Sequence, residues 1–367
     1  MTAAADGPGV DPTRRATAWT CEPGWEPALG EELRRTLPEA AVEVLGSALV
    51  TTVGAVADEP AVAFAEQVLP DCEPVSAPSI ARWAGAACER IVLRLDTADV
   101  PWRLHVFARP TADKPAGQRR ADLVRERIVA DLRPLKRKLV GRLTEGDDSA
   151  WRDGEALVQV CLATPEEGWI SIIDAATRHR WRRCVSRYAA GRIDPAVDKA
   201  APSRAFAKLV EVERRIGRRI AAGETCVDLG SSPGSWAYTA LERGATVTAV
   251  DRSPLRADLM RHSRLSFVRG DAFAFEPPEP VDWLLSDVIA FPDRVREMLS
   301  AWLMPRRCRY FCVTVKFRGR EQDAELEDVK EILRSSDYEF CIRRLTANKN
   351  EATAFGYLKS ESRLQLC

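Results

Sequence analysis

Apolar and polar positions fall into two regimes along the chain. From Thr17 to about Ile173, β-branched runs with two-residue alternation cover Ala48–Val56, Arg90–Asp96, Trp102–Ala108 and Ala156–Ala163, and helical spacing covers Pro27–Thr36 and Ala121–Val140. That mixture predicts α+β architecture without a regular βαβ repeat. From about Glu224 the elements alternate strictly. Strand-like runs at Thr225–Leu229, Thr246–Asp251, Leu265–Val268, Trp283–Asp287 and Arg309–Lys316 are separated by helix-like stretches. This predicts an α/β, Rossmann-like, doubly wound parallel sheet. Two final runs, Glu339–Leu345 and Ala352–Leu358, are joined by a short polar turn and predict an antiparallel hairpin at the end of that sheet. The expected organisation is a flexible N-terminus over 1–16, an α+β region over 17–176, a basic linker over 177–200 and the Rossmann-like domain over 201–367.

Composition narrows the classes. With 367 residues and 46% hydrophobic content the chain can build two or three ordinary cores. Residues 1–20 contain no apolar signal-like core, and no segment approaches the roughly 18 apolar residues of a membrane span, so a cytoplasmic location is expected. Ten cysteines without a Cys-x-x-Cys pair suit neither a disulfide scaffold nor a zinc ribbon. His105, His179 and His262 are scattered, so no metal site is expected. Lysines plus arginines equal aspartates plus glutamates at 54 each, so attraction to a nucleic acid must come from local patches.

Two such patches exist. Thr177–Arg192 reads TRHRWRRCVSRYAAGR, with six arginines (Arg178, Arg180, Arg182, Arg183, Arg187, Arg192), two aromatics and no carboxylate. It is either a solvated linker or a phosphate-tracking surface with Trp181 and Tyr188 available to stack on bases. A second segment, Arg119–Arg142, places Arg125, Arg127, Arg133, Lys136, Arg137 and Lys138 along a predicted helix, which strengthens the expectation of an RNA partner.

The chemistry-bearing motif is CVDLGSSPGSWAY, Cys226–Tyr238, a strand followed by a Gly-rich turn and a helix start. Such a turn lets a ligand approach the backbone at the carboxyl end of a first strand. The spacing Asp228-Leu-Gly230-Ser231-Ser232-Pro233-Gly234-Ser235-Trp236 is not G-x-G-x-x-G, which argues against a dinucleotide pyrophosphate and leaves space for the amino-acid end of a ligand such as S-adenosylmethionine. Asp251 closes the second strand, where a carboxylate can accept both ribose hydroxyls, and Asp271 after the third is placed for the adenine amino group. After the fourth strand stands Ser286-Asp287-Val288-Ile289. It offers neither the Asn/Asp-Pro-Pro-aromatic clamp of exocyclic-amine methylation nor a nucleophilic thiol, which disfavours base methylation. Lys316 ends the fifth strand and Lys208 lies in the helical stretch SRAFAKLVEV.

Taken together these residues resemble the FtsJ-type family of ribose 2′-O-methyltransferases. The resemblance is carried by SRAFAKL (Ser203–Leu209), DLGSSPGSW (Asp228–Trp236), SDV (Ser286–Val288), VKF (Val315–Phe317) and NEAT (Asn350–Thr353). It implies a catalytic tetrad of Lys208, Asp287, Lys316 and Glu351, with Asp228, Gly230, Ser231, Ser232, Pro233, Gly234, Ser235, Trp236, Asp251, Asp271 and Asp287 around S-adenosylmethionine. A terminal hairpin is also what such methyltransferases carry and most nicotinamide-binding domains lack. The chain departs from the family at Ser235, where glycine is common, at Ser232, where alanine is frequent, and in the loop VIAFPDRV after Asp287.

The N-terminal half adds TCEPGWEPALGEEL (Thr20–Leu33) and ATPEEGWISI (Ala163–Ile172). These resemble the THUMP-bearing RNA enzymes, specifically the bacterial branch that methylates a cytidine ribose in large-subunit rRNA. The resemblance implies a THUMP-like, ferredoxin-like RNA-binding region ahead of the catalytic domain. A tRNA or an mRNA cap as substrate stays open at this point, as does a catalytically silent RNA-binding or ribosome-assembly protein that keeps the fold.

Overall fold

A computed structural model describes residues 16–54, 59–111, 117–146, 149–317 and 325–361. The expected flexible N-terminus thus lies outside the described residues except for Ala16. The described residues divide into two compact units, one within Met1–Asp58, Gln67–Glu145 and Arg152–Arg180, the other within Glu59–Glu66, Gly146–Trp151 and Trp181–Cys367.

The first unit contains β1 (Ala16–Thr20), α1 (Glu26–Thr36), β2 (Ala41–Gly46), β3 (Leu49–Val53), β4 (Gln67–Ser76), α2 (Ile80–Leu95), β5 (Trp102–Ala108), α3 (Gln118–Leu135), α4 (Arg137–Val140), β6 (Ala156–Leu162), β7 (Glu167–Ile173) and α5 (Ala175–Arg180). Its seven strands run in the order β2-β3-β1-β4-β7-β6-β5. Every pairing is antiparallel except β5 with β6. Helices α2 and α3 cover one face, with Trp83, Ala87, Ile91, Val124, Ile128 and Leu132 packed on Leu104, Val106, Val158 and Val160. Each large apolar side chain buried there contributes roughly 1.5–3 kcal/mol.

One expected strand is corrected. Arg90–Asp96 forms the last turns of α2 rather than a strand. Its alternation IVLRL is short, whereas Trp83, Ala84, Ala87, Ile91 and Leu95 share one buried helical face, and the Ser79 side chain starts the helix by accepting the Arg82 N–H at 3.2 Å. Over a longer window the 3.6-residue period outweighs local β propensity. The basic helix is also shorter than expected: α3 ends at Leu135, beside Pro134, and Lys136 separates it from the single turn α4.

The second unit holds α6 (Phe206–Ile216), β8 (Thr225–Leu229), α7 (Ser235–Glu242), β9 (Thr246–Asp251), β10 (Leu265–Arg269), β11 (Val281–Ser286), α8 (Pro292–Leu303), β12 (Cys308–Lys316), α9 (Glu325–Ser335), β13 (Tyr338–Arg343) and β14 (Glu351–Leu358). The strand order is β10-β9-β8-β11-β12-β14-β13. The first five strands are parallel, and β14 and β13 close the sheet antiparallel. The near-continuous apolar runs of β8, β11 and β12 follow from burial on both faces, as parallel strands require. The chain order reverses beside β8, between β9 and β11, so a crevice opens at the carboxyl ends of these strands. All loops with candidate chemistry leave the sheet at that edge.

Candidate active site

The crevice is built by the turn after β8. Gly230 has φ +70°, and a Cβ there would stand 2.6 Å from the Val288 Cβ, so only glycine lets the β8 and β11 loops approach. Gly234, at φ +106°, starts α7 and leaves room for Leu255 and Leu259. Asp228 is buried beneath the turn, where it accepts the Ser231 hydroxyl at 2.5 Å and the Ala237 N–H at 2.9 Å. It therefore holds the turn against the helix start. Burial, reinforced by the charges of Asp287 and Asp251, pushes its carboxyl up to about 7 despite those hydrogen bonds.

This predicts a pH signature. An acid whose folded pKa lies above its unfolded value loses stability as pH rises between the two, because the unfolded state releases its proton first. Asp228 lowers stability progressively from about pH 4 to about pH 7, and the loss levels off above that. Asp228→Asn keeps an acceptor and cannot ionise. In thermal melts without added cofactor, the variant should gain on the natural protein between pH 5 and pH 8; parallel pH profiles would show that Asp228 does not titrate there.

Two adjoining clefts share Gly230 and Ile289. The larger, about 410 Å³, is lined by Asp251, Gly270, Asp271, Ala272, Phe273 and Phe291 among others. The smaller, about 200 Å³, is lined by Asp228, Ser231, Ser232, Pro233, Ser235, Trp236, Asp287 and Lys316. Asp251 accepts the backbone N–H of Ser232 at 2.9 Å and of Ser253 at 2.8 Å. Asp271 accepts the Phe273 N–H at 3.0 Å and pairs with the exposed Arg252 at 2.9 Å, and both hold it below the usual carboxylate range. Arg294 lies over the Phe273 ring at 4.5 Å.

Beside the smaller cleft, four charged side chains from four elements form one chain of contacts. Lys208 on α6 donates to Asp287 at 2.7 Å and is 2.6 Å from one oxygen of Glu351. The other Glu351 oxygen faces the Lys316 ammonium at 3.7 Å. Lys316 and Glu351 are cross-strand partners on β12 and β14, so sheet register brings them together. Lys208 and Glu351 are buried, and Lys316 opens onto the cleft. Burial alone would depress Lys208, but Asp287 and Glu351 outweigh it and raise it above the usual lysine value. For Glu351 burial works upward and is overcome by Lys208, which leaves its carboxyl below the ordinary glutamate value.

Several supporting residues were missed by sequence reasoning. Asn348 donates to Glu351 at 3.2 Å. Glu211, one turn beyond Lys208, accepts the Thr346 N–H at 2.9 Å and so ties α6 to the hairpin bearing Glu351. The Ser235 hydroxyl, at the family's glycine position, lies 2.7 Å from that of Ser203, while the Trp236 indole donates to the Ala205 carbonyl at 2.8 Å. The cofactor loop and the Lys208 helix are thereby fastened together. Ile289 is 80% exposed between the clefts. Its exposure has no local sequence signal.

A comparison with known families matches residues 201–308 to the FtsJ-like methyltransferase model. The second unit carries an FtsJ-like methyltransferase domain. The chain is 27% identical to "Ribosomal RNA large subunit methyltransferase M" of Thauera aminoaromatica over 275 residues, 71% of this chain and 75% of the relative. Similar proteins of the same name occur in Azoarcus sp. (strain BH72), 28% identical over 69% of this chain and 73% of the relative, and in Cellvibrio japonicus (strain Ueda107), 36% identical over 35% and 39%. The chain is a methyltransferase that uses S-adenosylmethionine. The donor set fits that cofactor: two carboxylates line the larger cleft, as suits ribose hydroxyls and an adenine amino group, and two more and the backbone turn line the smaller.

The base-stacking role expected of the aromatics in 177–192 needs correction. Trp181 and Tyr188 are core residues, 5% and 3% exposed, and offer no stacking face. Arg182 pairs with Glu59 and with Glu339 at 2.9 Å, and Arg183 with Glu59 at 3.2 Å while lying over Phe340. Arg187 donates to the Tyr188 hydroxyl and the Arg214 carbonyl, and Arg192 pairs with Glu66 at 2.9 Å. Arg178 donates to the Glu155 carbonyl in the first unit, and Arg180 is exposed. Arg182, Arg183 and Arg192 are paired with carboxylates distant in sequence, and residues from Trp181 onward belong to the second unit. Arg133, Arg137 and Lys138, in contrast, stay exposed on α3 and α4.

Proposed function

We propose that the chain is an S-adenosylmethionine-dependent ribose 2′-O-methyltransferase whose substrate is large-subunit rRNA, at a cytidine. The observation that carries the reading is the contact chain Asp287–Lys208–Glu351–Lys316 beside the cofactor clefts. The names of the relatives support the rRNA substrate. We further assign the first unit, THUMP-like in the sequence resemblance, to RNA recognition, with the exposed arginines and lysine of α3 and α4 on the phosphate backbone. A separate domain that reads RNA shape suits a substrate whose specificity comes from splayed single strands.

The cofactor, when bound, supplies a methyl group already activated on a cationic sulfur. What the chain's residues must do is align a ribose hydroxyl and remove one proton. Lys208 is buried and held protonated between two carboxylates, so its role is positional. Lys316 faces the cleft with one longer contact to Glu351 and is placed to steer the 2′-hydroxyl and, after releasing its own proton to solvent, to take the hydroxyl's proton as the neutral amine. Glu351 fixes the distance between the two ammonium groups. Asp251 and Asp271 would hold the ribose and adenine ends of the cofactor.

The test is methyl transfer from labelled S-adenosylmethionine to RNA from cells lacking the protein, followed by mapping of 2′-O-methyl positions. Label in a large-subunit rRNA cytidine is the expected result. Cofactor and RNA binding without transfer would instead establish a silent RNA-binding protein, and label confined to tRNA would overturn the substrate.

A further inference from the structure

Residues 59–66, EPAVAFAE, lie between β3 and β4 in sequence, yet they belong to the second unit. Ala61, Val62, Ala63, Phe64 and Ala65 are each at most 2% exposed. Polar contacts fasten both ends of this strap. Glu59 pairs with Arg182 and Arg183, the Pro60 carbonyl accepts the Cys184 thiol, and Glu66 pairs with Arg192.

The middle of the strap meets the active site's supports. The Phe64 ring packs on Phe317 with centroids 5.8 Å apart and planes tilted by 59°. Phe317 directly follows Lys316 and is itself held by its N–H to the Asn350 carbonyl at 2.9 Å, one residue before Glu351. The Ala63 carbonyl accepts the Arg344 N–H at 2.8 Å, and the Arg344 guanidinium donates to the carbonyls of Lys349 and Glu351. Arg343 donates to the carbonyls of Ala65 and Glu66. The strap therefore buttresses both members of the Lys316–Glu351 pair from behind.

We infer that Phe64 is a positioning residue for methyl transfer: by packing on Phe317 it fixes the end of β12 and thus the place of the Lys316 ammonium. The inference rests on the proposed function and deepens it. The β12–β14 ladder ends at Lys316–Glu351, and one further backbone bond, from the Phe317 N–H to the Asn350 carbonyl, holds the next residue. The Phe64 ring adds a side-chain constraint at that same residue, where the ladder is down to a single bond. Displacing a reacting group by about 1 Å can cost up to 10²-fold in rate, so loss of the Phe64 ring should be felt in kcat.

The test uses the full chain with Phe64→Ala and Phe64→Leu. Four quantities are read: kcat on rRNA, cofactor affinity, and the acylation rates of Lys316 and of the exposed Lys199, resolved by mass spectrometry. The expected result for Phe64→Ala is a kcat loss of about tenfold or more with cofactor affinity kept. Lys316 acylation should rise severalfold and that of Lys199 should not change. Phe64→Leu, which refills the apolar space, should recover most of both. Natural kcat and natural Lys316 reactivity in Phe64→Ala would overturn the inference. So would joint loss of cofactor affinity and general lysine protection, which marks Phe64 as merely structural. If the natural protein transfers no methyl group, the proposed function fails, while the acylation ratio still decides the packing role of Phe64.

Discussion

Replacing Lys316 by alanine is expected to lower methyl transfer about 10²–10⁴-fold, the usual contribution of one well-placed acid–base group. Cofactor affinity should be kept, because the residues suited to the adenosine end are Asp251 and Asp271 in the larger cleft, which Lys316 does not line. The fold should also survive, since Lys316 is the partly exposed end of its contact chain and Glu351 retains Lys208 as partner. The measurement is single-turnover transfer at saturating cofactor, with binding by calorimetry alongside. Full transfer by Lys316→Ala would remove Lys316 from the chemistry and reopen the choice between the two lysines. Lys316→Arg should not restore the rate: it keeps a cation but cannot accept a proton in the accessible pH range.

Lys208→Ala should act on stability first. The ammonium lies between Asp287 and Glu351, and its removal leaves two carboxylates facing each other in a buried site. Breaking a buried pair from one side costs about 3–5 kcal/mol, because the remaining charge loses compensation. The sign of the pH dependence separates this from simple cavity formation. In the natural protein Glu351 has a depressed pKa, so its contribution is present above the ordinary glutamate value and is lost as pH falls through the lower folded value. Lys208, raised, contributes fully below the ordinary lysine value and loses that contribution only as pH rises through its folded value. Without Lys208 the burial of Glu351 is less opposed and its folded pKa moves up. The variant's deficit should therefore be larger at pH 8 than at pH 4.5 in denaturant titrations. A deficit independent of pH would mean that the carboxylates relax into solvent, and that the network is weaker than its distances imply.

Lys208→Ala should also abolish methyl transfer, but through geometry. Glu351 would lose the contact that holds its second oxygen toward Lys316. Lys208→Arg tests this, since a guanidinium keeps the charge but cannot occupy the same point between the two carboxylates. Stability should return in part while activity stays low.

The second unit was largely legible in the sequence because its information is local. Each parallel strand is a short apolar run ended by Gly, Asp or Lys, and each loop motif sits directly after its strand. Once the alternation of elements places these ends on one edge, Gly230, Asp251, Asp271, Asp287 and Lys316 must share a crevice. Lys208 and Glu351 lie outside that rule. Their place came only from motif resemblance, and the structure supplies the reason: α6 is tied to the hairpin by Glu211, and β14 pairs in register with β12.

What the sequence by itself determined was the alternation of elements and the Gly-rich loop after the first parallel strand, both readable from period and spacing, while the four charged residues were named by resemblance to a family motif. Only the tertiary structure decided what distant partners do to local patterns. Arg90–Asp96 joined a helix because its apolar residues complete a stripe that begins at Trp83. Arg182, Arg183 and Arg192 became internal ion pairs because Glu59, Glu66 and Glu339 reach them across the second unit. Lys208, flanked in its own helix by apolar neighbours, acquired two carboxylate partners, one just after β11 and one at the start of β14, more than seventy residues away. Coulomb attraction and desolvation depend on distance in space, and a linear pattern carries charge without carrying that distance.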